Sequence, residues 1–113
     1  MYSQRVRMTI EWHVPTGQVR PMTMALHSLA GDTRGMRGCL GCSVSTDLSN
    51  QGTVRYTEDF LTEDDMRERV RDDSFALLIT LLEETLEPPR VEFLLAKGTR
   101  GLDFAEELRS STT

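Results

Sequence analysis

Strict alternation of apolar and polar side chains between Val6 and Val14 is the feature of the sequence that most constrains its fold. Every second position of this stretch is apolar: Val6, Met8, Ile10, Trp12 and Val14. Neighbouring side chains of a β-strand point to opposite faces, so the pattern predicts a half-buried strand. A sheet built on such a strand needs a layer that covers its apolar face.

Helical spacing follows this strand. From Gln18 onward, apolar residues recur at steps of three and four: Val19, Met22, Leu26 and Leu29. This spacing predicts an amphipathic helix, which the turn-forming residues 31–35 should end.

Two more alternating segments, 39–45 and 53–60, flank the turn-rich stretch 47–52 and are predicted to form a hairpin. In the first of them, alternation puts Leu40, Cys42 and Val44 on one face and Cys39 on the other. The two sulfurs should then diverge. We therefore expect structural thiols rather than a redox pair or a zinc site, unless a bulge at Gly41 realigns them.

The second half of the chain predicts two helical segments, a strand and a short terminal helix. Thr62 precedes a run of acids in the manner of an N-cap, and a stripe then extends from Phe75 to Leu86, where prolines end it. Residues 91–95 alternate as a fourth strand, 98–101 are predicted to be a turn, and a short helix begins near Leu102.

The resulting order, strand–helix–strand–strand–helix–strand, predicts an α+β fold of the ferredoxin-like type. Its four-stranded antiparallel sheet would carry both main helices on one face. We expect a single domain over 1–113, with its core in 6–97 and a short helix and tail in 98–113. The other face of the sheet could meet solvent or a second copy of the chain, and its predicted residues are Arg7, Thr9, Glu11, Cys39, Arg55, Thr57, Arg90, Glu92, Leu94 and Ala96.

Composition excludes several classes of partner. A net charge of −5 argues against a nucleic-acid partner, which would require a basic face. No apolar run approaches the ~20 residues of a membrane span, and the first residues lack the apolar core of a signal peptide. We expect a cytoplasmic protein.

Five short motifs give the chain a family resemblance. They are Gly38-Cys39-Leu40-Gly41, Glu58-Asp59-Phe60, Thr62-Glu63-Asp64-Asp65, Ser74-Phe75 and Pro88-Pro89. In this order and spacing, the chain resembles the antibiotic-biosynthesis monooxygenase family over roughly residues 6–97. The resemblance implies a homodimeric α+β barrel, formed as two sheets stack face to face, with a pocket in each subunit between sheet and helices. It also implies a cofactor-independent monooxygenase that acts on a small aromatic molecule, such as a quinol or phenolic polyketide, with molecular oxygen.

The chain departs from that family at identifiable positions. Phe60 stands where the family carries Trp, so an indole N–H is missing. Some relatives degrade haem, but the segment 75–79 offers no histidine for iron, and 70–73 lacks the family's other frequent histidine. We expect neither haem degradation nor a metal site.

Glu58 is the predicted catalytic residue. Alternation places it on the helix-facing side of its strand, where a poorly solvated carboxylate would suit proton abstraction from a phenol. The alternative is a structural role, in which Glu58 pairs with an arginine such as Arg67 or with a backbone N–H.

The predicted substrate-binding residues are apolar or aromatic and share that side of the domain: Met8, Trp12, Tyr56, Phe60 and Phe75. They could stack on a flat ligand, or they could be plain core. His13 and His27 are expected to be solvated. The alternative function is a non-catalytic dimer that binds or senses a small molecule; an isomerase or decarboxylase on the same scaffold is a third possibility.

Overall fold

The computed structural model describes residues 5–85 and 87–110. Its helices and strands follow in this order: β1 (Val6–His13), α1 (Thr16–Thr33), β2 (Cys39–Thr46), β3 (Thr53–Phe60), α2 (Glu63–Arg71), α3 (Phe75–Glu83), β4 (Arg90–Leu95), β5 (Gly98–Arg100) and α4 (Leu102–Ser110).

The strands form one antiparallel sheet in the order β2-β3-β1-β4-β5. In the middle of the sheet, Ile10 of β1 lies opposite Tyr56 of β3 on one side and Val91 of β4 on the other. The predicted α+β class and antiparallel sheet are therefore confirmed, but the predicted count of four strands is wrong. Residues 98–100, predicted as part of a turn, pair with β4 as a fifth strand. Three residues are too few for alternation to be read from the sequence.

One continuous core lies between the sheet and its helices. Val6, Met8, Ile10 and Trp12 are fully buried, as alternation predicted, whereas the fifth apolar position, Val14, lies beyond the end of β1 and is only partly buried. Each helix contributes buried residues to the same cluster: Leu26 and Leu29 from α1, Met66 and Val70 from α2, Phe75 and Leu78 from α3, and Phe104 and Leu108 from α4.

Two helices differ in length from the prediction. The first begins at Thr16 rather than Gln18 and continues through Gly31 to Thr33. Glycine lowers helix propensity by only ~1 kcal/mol, and the buried Leu29 and Ala30 hold this last turn against the sheet. The third helix ends at Glu83, and the predicted stripe position Leu86 lies outside the described residues.

The start of α2 follows the predicted capping chemistry. The Thr62 hydroxyl accepts the backbone N–H of Asp65 at 3.1 Å, and three acids occupy the first turn. The cap gives a hydrogen-bond acceptor to a backbone N–H that has no partner within the helix. The acids complement the positive end of the helix dipole.

A β-bulge at Leu40 changes the faces of β2. Cys39 lies opposite Phe60, and Gly41 lies opposite Asp59, the residue directly before Phe60 in β3. Leu40 has no residue opposite it and is therefore the inserted residue. The insertion turns Cys39 to the helix side, together with Cys42. The prediction that the two sulfurs diverge is wrong, because one extra residue inverts the parity on which it rested. Ala96 was also misassigned, since it lies in the turn after β4.

No helix in the described ranges has the length and apolar character needed to cross a membrane.

Candidate functional site

Glu58 lies inside the core, on the side of β3 that faces the helices, as predicted. Arg69 of α2 donates two hydrogen bonds to its carboxylate, from Nε to Oε1 and from Nη2 to Oε2, both at 3.0 Å. The hydroxyl of Tyr56 donates to Oε2 at 2.5 Å. The side chains of Glu58 and Arg69 are both fully buried.

The local sequence explains this arrangement. Tyr56 and Glu58 stand two residues apart on one strand and so share a face. Arg69 lies on the buried side of α2 with Met66 and Val70. The structural alternative of an arginine partner is confirmed, but the arginine is Arg69 and not Arg67, which pairs with Glu63 one helical turn earlier at 2.7 Å. Its spacing from the buried positions of α2 puts it on another side of the helix.

Burial and charge fix the protonation states around this carboxylate. Burial, and then the negative charge of Glu58, raise the pKa of the Tyr56 phenol, which therefore stays protonated and acts as a donor. Burial acts to lower the pKa of Arg69, but the adjacent Glu58 outweighs it, so the net shift is upward and the guanidinium stays charged. The result is a desolvated ion pair with its hydrogen bonds satisfied.

The network continues from Arg69 toward the surface. Arg69 Nη1 donates to the hydroxyl of Ser74 at 3.0 Å, and that hydroxyl donates to Asp72 at 2.5 Å. These bonds from Ser74 hold the pKa of Asp72 below its ordinary value. The guanidinium carbon of Arg69 lies over the ring of Phe75, 5.3 Å from the ring centre. The guanidinium carbon of Arg109 lies 6.0 Å from the same ring centre. Phe75 is therefore a fully packed core residue between two cations.

The other predicted binding residues lie in the same core. Met8, Trp12, Tyr56 and Phe60 are fully buried. The indole N–H of Trp12 donates to the backbone oxygen of Leu81 in α3, at 3.2 Å. Neither cavity described below is lined by any of these four residues, by Phe75 or by Glu58. Their roles in binding and catalysis stay predictions.

A larger cavity, of about 580 Å³, opens next to this core. It lies between the end of β1, the first half of α1 and, after them in the chain, residues 81, 84, 85 and 87. Its lining residues are His13, Val14, Pro15, Gln18, Pro21, Met22, Ala25, Leu81, Glu84, Thr85 and Glu87. Sequence reasoning missed this site. The available signal was Leu81, which widens the apolar stripe of α3 beyond what one packing surface needs.

His13 is the histidine among the residues that line this cavity. Its Nδ1 lies 3.1 Å from the hydroxyl of Thr53, and its Nε2 lies 3.6 Å from Glu11. Glu84 and Glu87 add carboxylates to the lining. Apolar walls with a few polar groups can hold a small organic molecule and orient a hydroxyl on it.

A smaller cavity, of about 240 Å³, lies at the other end of the sheet beside β5. Phe104 forms part of its wall, between Arg67 and Arg100. Within the described ranges, no three His, Cys, Asp or Glu side chains converge as a metal site.

No family model and no curated protein sequence matches the chain. Solved structures do share its fold. A conserved protein from Methanosarcina mazei Go1 is 21% identical with a TM-score of 0.72, and the match covers 80% of this chain and 91% of the other. A "putative antibiotic biosynthesis monooxygenase" from Deinococcus radiodurans is 21% identical with a TM-score of 0.70, covering 78% and 88% of the two chains.

A second protein of that name, from Caulobacter crescentus CB15, is 16% identical with a TM-score of 0.69, and covers 82% of this chain and 90% of its own. These likenesses confirm, at the level of the fold, the resemblance inferred from the five motifs. The chain has the fold of the antibiotic-biosynthesis-monooxygenase-like proteins.

Proposed function

We propose that the protein is a cofactor-independent monooxygenase that binds a small aromatic molecule, a quinol or phenolic polyketide, and oxidises it with molecular oxygen. The observation that carries the proposal is the cavity of about 580 Å³ between α1 and α3. The activity itself is suggested by the names of the structural neighbours, among them a "possible oxidoreductase" from Bacteroides thetaiotaomicron.

The cavity has the size and lining that such a substrate needs. Ligand sites in proteins typically span about 300–1,000 Å³, with apolar walls and a few polar groups. Val14, Met22 and Leu81 supply apolar surface for a ring, and His13 and Glu84 supply groups that can accept a hydrogen bond from a phenol. Since the carboxylates of Glu84 and Glu87 disfavour an anionic ligand, we expect the ligand to be a neutral phenol.

Two side chains are candidates for the proton acceptor. The predicted base, Glu58, is held by Arg69 and Tyr56, so a phenol could reach it only if the helices moved away from the sheet. His13 is a lining residue of the cavity, and an imidazole nitrogen can accept a proton from a bound ligand. We assign the role to His13 and keep Glu58 as the alternative.

The proposed reaction needs no further reductant. For an anthrone-type phenolic polyketide, the base removes a proton from a ring CH₂ activated by a neighbouring phenol, and the resulting carbanion reduces oxygen to a carbon-bound peroxide that takes this proton back. Loss of water then leaves a carbonyl, so that R₂CH₂ + O₂ gives R₂CO + H₂O. The substrate supplies all the electrons, and the protein contributes positioning and exclusion of water.

A non-catalytic small-molecule binder is the second candidate. It is favoured by the full engagement of the core carboxylate, because Glu58 accepts bonds from Arg69 and Tyr56 and keeps neither oxygen free of a partner. Such a carboxylate serves stability rather than turnover.

Filling the cavity tests both candidates. Ala25→Phe places a ring among the lining residues, whereas Met24→Phe, its neighbour on the exposed side of α1, leaves the cavity unchanged. With a panel of quinols and anthrone-type phenols, we expect Ala25→Phe to weaken binding at least about tenfold, measured by calorimetry, because the ring occupies the ligand's volume. Met24→Phe should bind as the wild type does.

Oxygen consumption separates the enzyme from the binder. If the wild type consumes oxygen and His13→Gln binds the ligand without consuming it, His13 is the base. Loss of uptake in Glu58→Gln alone would assign the base to Glu58. Ligand binding without uptake in any variant selects the binder, and equal binding by the Ala25 and Met24 variants rules out this cavity.

We also propose that the protein forms a homodimer through the sheet face that its helices leave uncovered. That face carries paired charges, Arg7 with Asp59 and Arg55 with Glu11, and Thr9 lies opposite Thr57 between them. Leu94 adds an apolar side chain that is 49% exposed.

A further inference from the structure

The bulge at Leu40 brings the thiols of Cys39 and Cys42 together. Their Sγ atoms lie 3.7 Å apart, on the helix side of β2, and both residues are partly buried. In a regular strand, residues three apart point to opposite faces. The contact therefore exists only because Leu40 is inserted between them.

The register shows that the backbone can accommodate a bond between these sulfurs. Cys39 lies opposite Phe60 and Cys42 opposite Glu58, two positions apart on the partner strand. Two strand steps span about 6.7 Å, whereas three span about 10 Å. Disulfides join Cα atoms about 4.4–6.8 Å apart, so the bulged spacing falls at the upper end of that range and the regular spacing falls outside it.

We propose that Cys39 and Cys42 form a reversible intrastrand disulfide, which makes β2 a redox-responsive segment of the protein. The oxidant is a low-molecular-weight disulfide or a chemically equivalent thiol oxidant. Bond formation moves the sulfurs from contact to a covalent distance of about 2.05 Å, a shift that rotation about the side-chain bonds supplies.

The chemistry is two successive thiol–disulfide exchanges. The Cys39 sulfur attacks the small disulfide RSSR, which breaks its S–S bond, forms Cys39–S–SR and releases one RSH. The Cys42 sulfur then attacks the sulfur of Cys39 and displaces the second RSH. The two protein thiols lose two electrons and two protons in total, and RSSR gains them.

The environment of Cys42 favours this order. Burial first, and then the charge of Glu58, raise the pKa of Cys42 to about 12, so its thiolate is scarce near neutral pH. Cys42 is therefore suited to the second, intramolecular step, in which proximity offsets a low thiolate fraction. Both cysteines belong to β2, which lies at the edge of the sheet.

Equilibration with glutathione redox buffers tests the proposal. The protein is brought to equilibrium at a series of oxidised-to-reduced glutathione ratios, free thiols are trapped with iodoacetamide, and the intact mass is measured. We expect the species with two alkyl groups to convert to one with none, lighter by two hydrogens than the reduced chain. The mixed disulfide should not accumulate, whereas Cys39→Ser and Cys42→Ser should each stop at one bound glutathione.

A matched control separates geometry from mere closeness in sequence. Cys42→Ser/Ser43→Cys keeps two thiols in β2 but moves one to the opposite face of the sheet. We expect its closed form to be disfavoured at least about tenfold relative to the wild type, because the sulfurs diverge. The same titration of the wild-type chain unfolded in urea gives a second reference if the double variant does not fold.

Two results would overturn the proposal. One is a wild-type chain that retains two alkylatable thiols, or stops at the mixed disulfide, in the most oxidising buffer. The other is closure that is equally favourable in the wild type and in the control variant, which would show that the bulge does not promote the bond. If the control variant does not fold, the comparison is made with the wild-type chain unfolded in urea.

Discussion

At the scale of single residues, the charged pair Glu58–Arg69 is the most demanding feature of the core. Transferring two ions out of water costs several kcal/mol each, and a pair offsets that cost only if its geometry is good and its remaining hydrogen-bonding groups find partners. Here Tyr56 and Ser74 supply those partners. The pair should therefore matter most when one of its members is removed.

Replacing Arg69 by methionine is expected to lower the free energy of unfolding by about 3–5 kcal/mol, because it leaves Glu58 buried without its counter-charge. The double variant Glu58→Gln/Arg69→Met leaves no buried charge without a partner. Its free energy of unfolding should therefore fall less than that of Arg69→Met alone. Urea denaturation of the four proteins in this cycle measures the coupling. Additive losses, or a loss below about 1 kcal/mol for Arg69→Met, would contradict this account.

Asp72 should make the stability depend on pH. The hydroxyl and N–H of Ser74 hold the pKa of Asp72 below its ordinary 3.8, so the folded state releases this proton more readily than the unfolded state. The stabilisation is thus fully present above about pH 5 and is lost as the pH falls below 3.8, through the folded-state value. We expect Asp72→Ala to cost about 1 kcal/mol at pH 7 and progressively less below pH 4.

Denaturation midpoints between pH 3 and 7 check this dependence, with Asp73→Ala as the control. Asp73 is the next residue and is exposed, so its replacement should change stability by less than about 0.5 kcal/mol. A constant difference between wild type and Asp72→Ala across the whole range would show that the bonds to Ser74 do not favour the ionised carboxyl.

At the scale of elements, the β2–β3 hairpin depends on a close approach at Gly52. This residue has φ of +95°, and its carbonyl accepts the N–H of Val14 at 2.8 Å. A methyl group at position 52 would collide with the carbonyl oxygen of Val14. Gly52→Ala is therefore expected to destabilise the protein by about 2 kcal/mol or more.

Gly31→Ala is the matched control. Gly31 lies inside α1, and a methyl group there meets no atom within 4 Å. Since alanine is the better helix former, we expect thermal or urea unfolding to show a gain of about 0.5–1 kcal/mol. Equal effects of the two substitutions would mean that backbone conformation does not distinguish these glycines.

The elements also show what the sequence could predict and what it could not. Alternation is reliable where strands are long and regular. It correctly predicted that Trp12, Tyr56 and Glu58 lie on the face of the sheet that the helices cover. It failed at Cys39, because a bulge changes parity without leaving a mark in the pattern. The cavity was missed for a related reason: residues from the end of β1, from α1 and from the end of α3 onward line it together, which depends on packing between segments distant in the chain.

At the scale of the whole molecule, the sheet has one face covered by helices and one face without a covering layer. Residues of the second face are mostly polar or charged, and ion pairs within the chain neutralise several of them. Such a surface can pack against a copy of itself without burying an unpaired charge. This is the physical requirement of the proposed dimer.

A charge at the centre of that face should break the dimer. In an isologous interface a central residue lies close to its own copy, so Thr57→Arg would oppose two like charges. We expect the dimer dissociation constant to rise at least about 100-fold, equivalent to ~2.7 kcal/mol, in sedimentation equilibrium. Ser28→Arg adds the same charge on the exposed side of α1 and should leave association unchanged. A monomeric wild type at micromolar concentration, or equal dissociation constants for the two variants, would exclude an interface through the uncovered face.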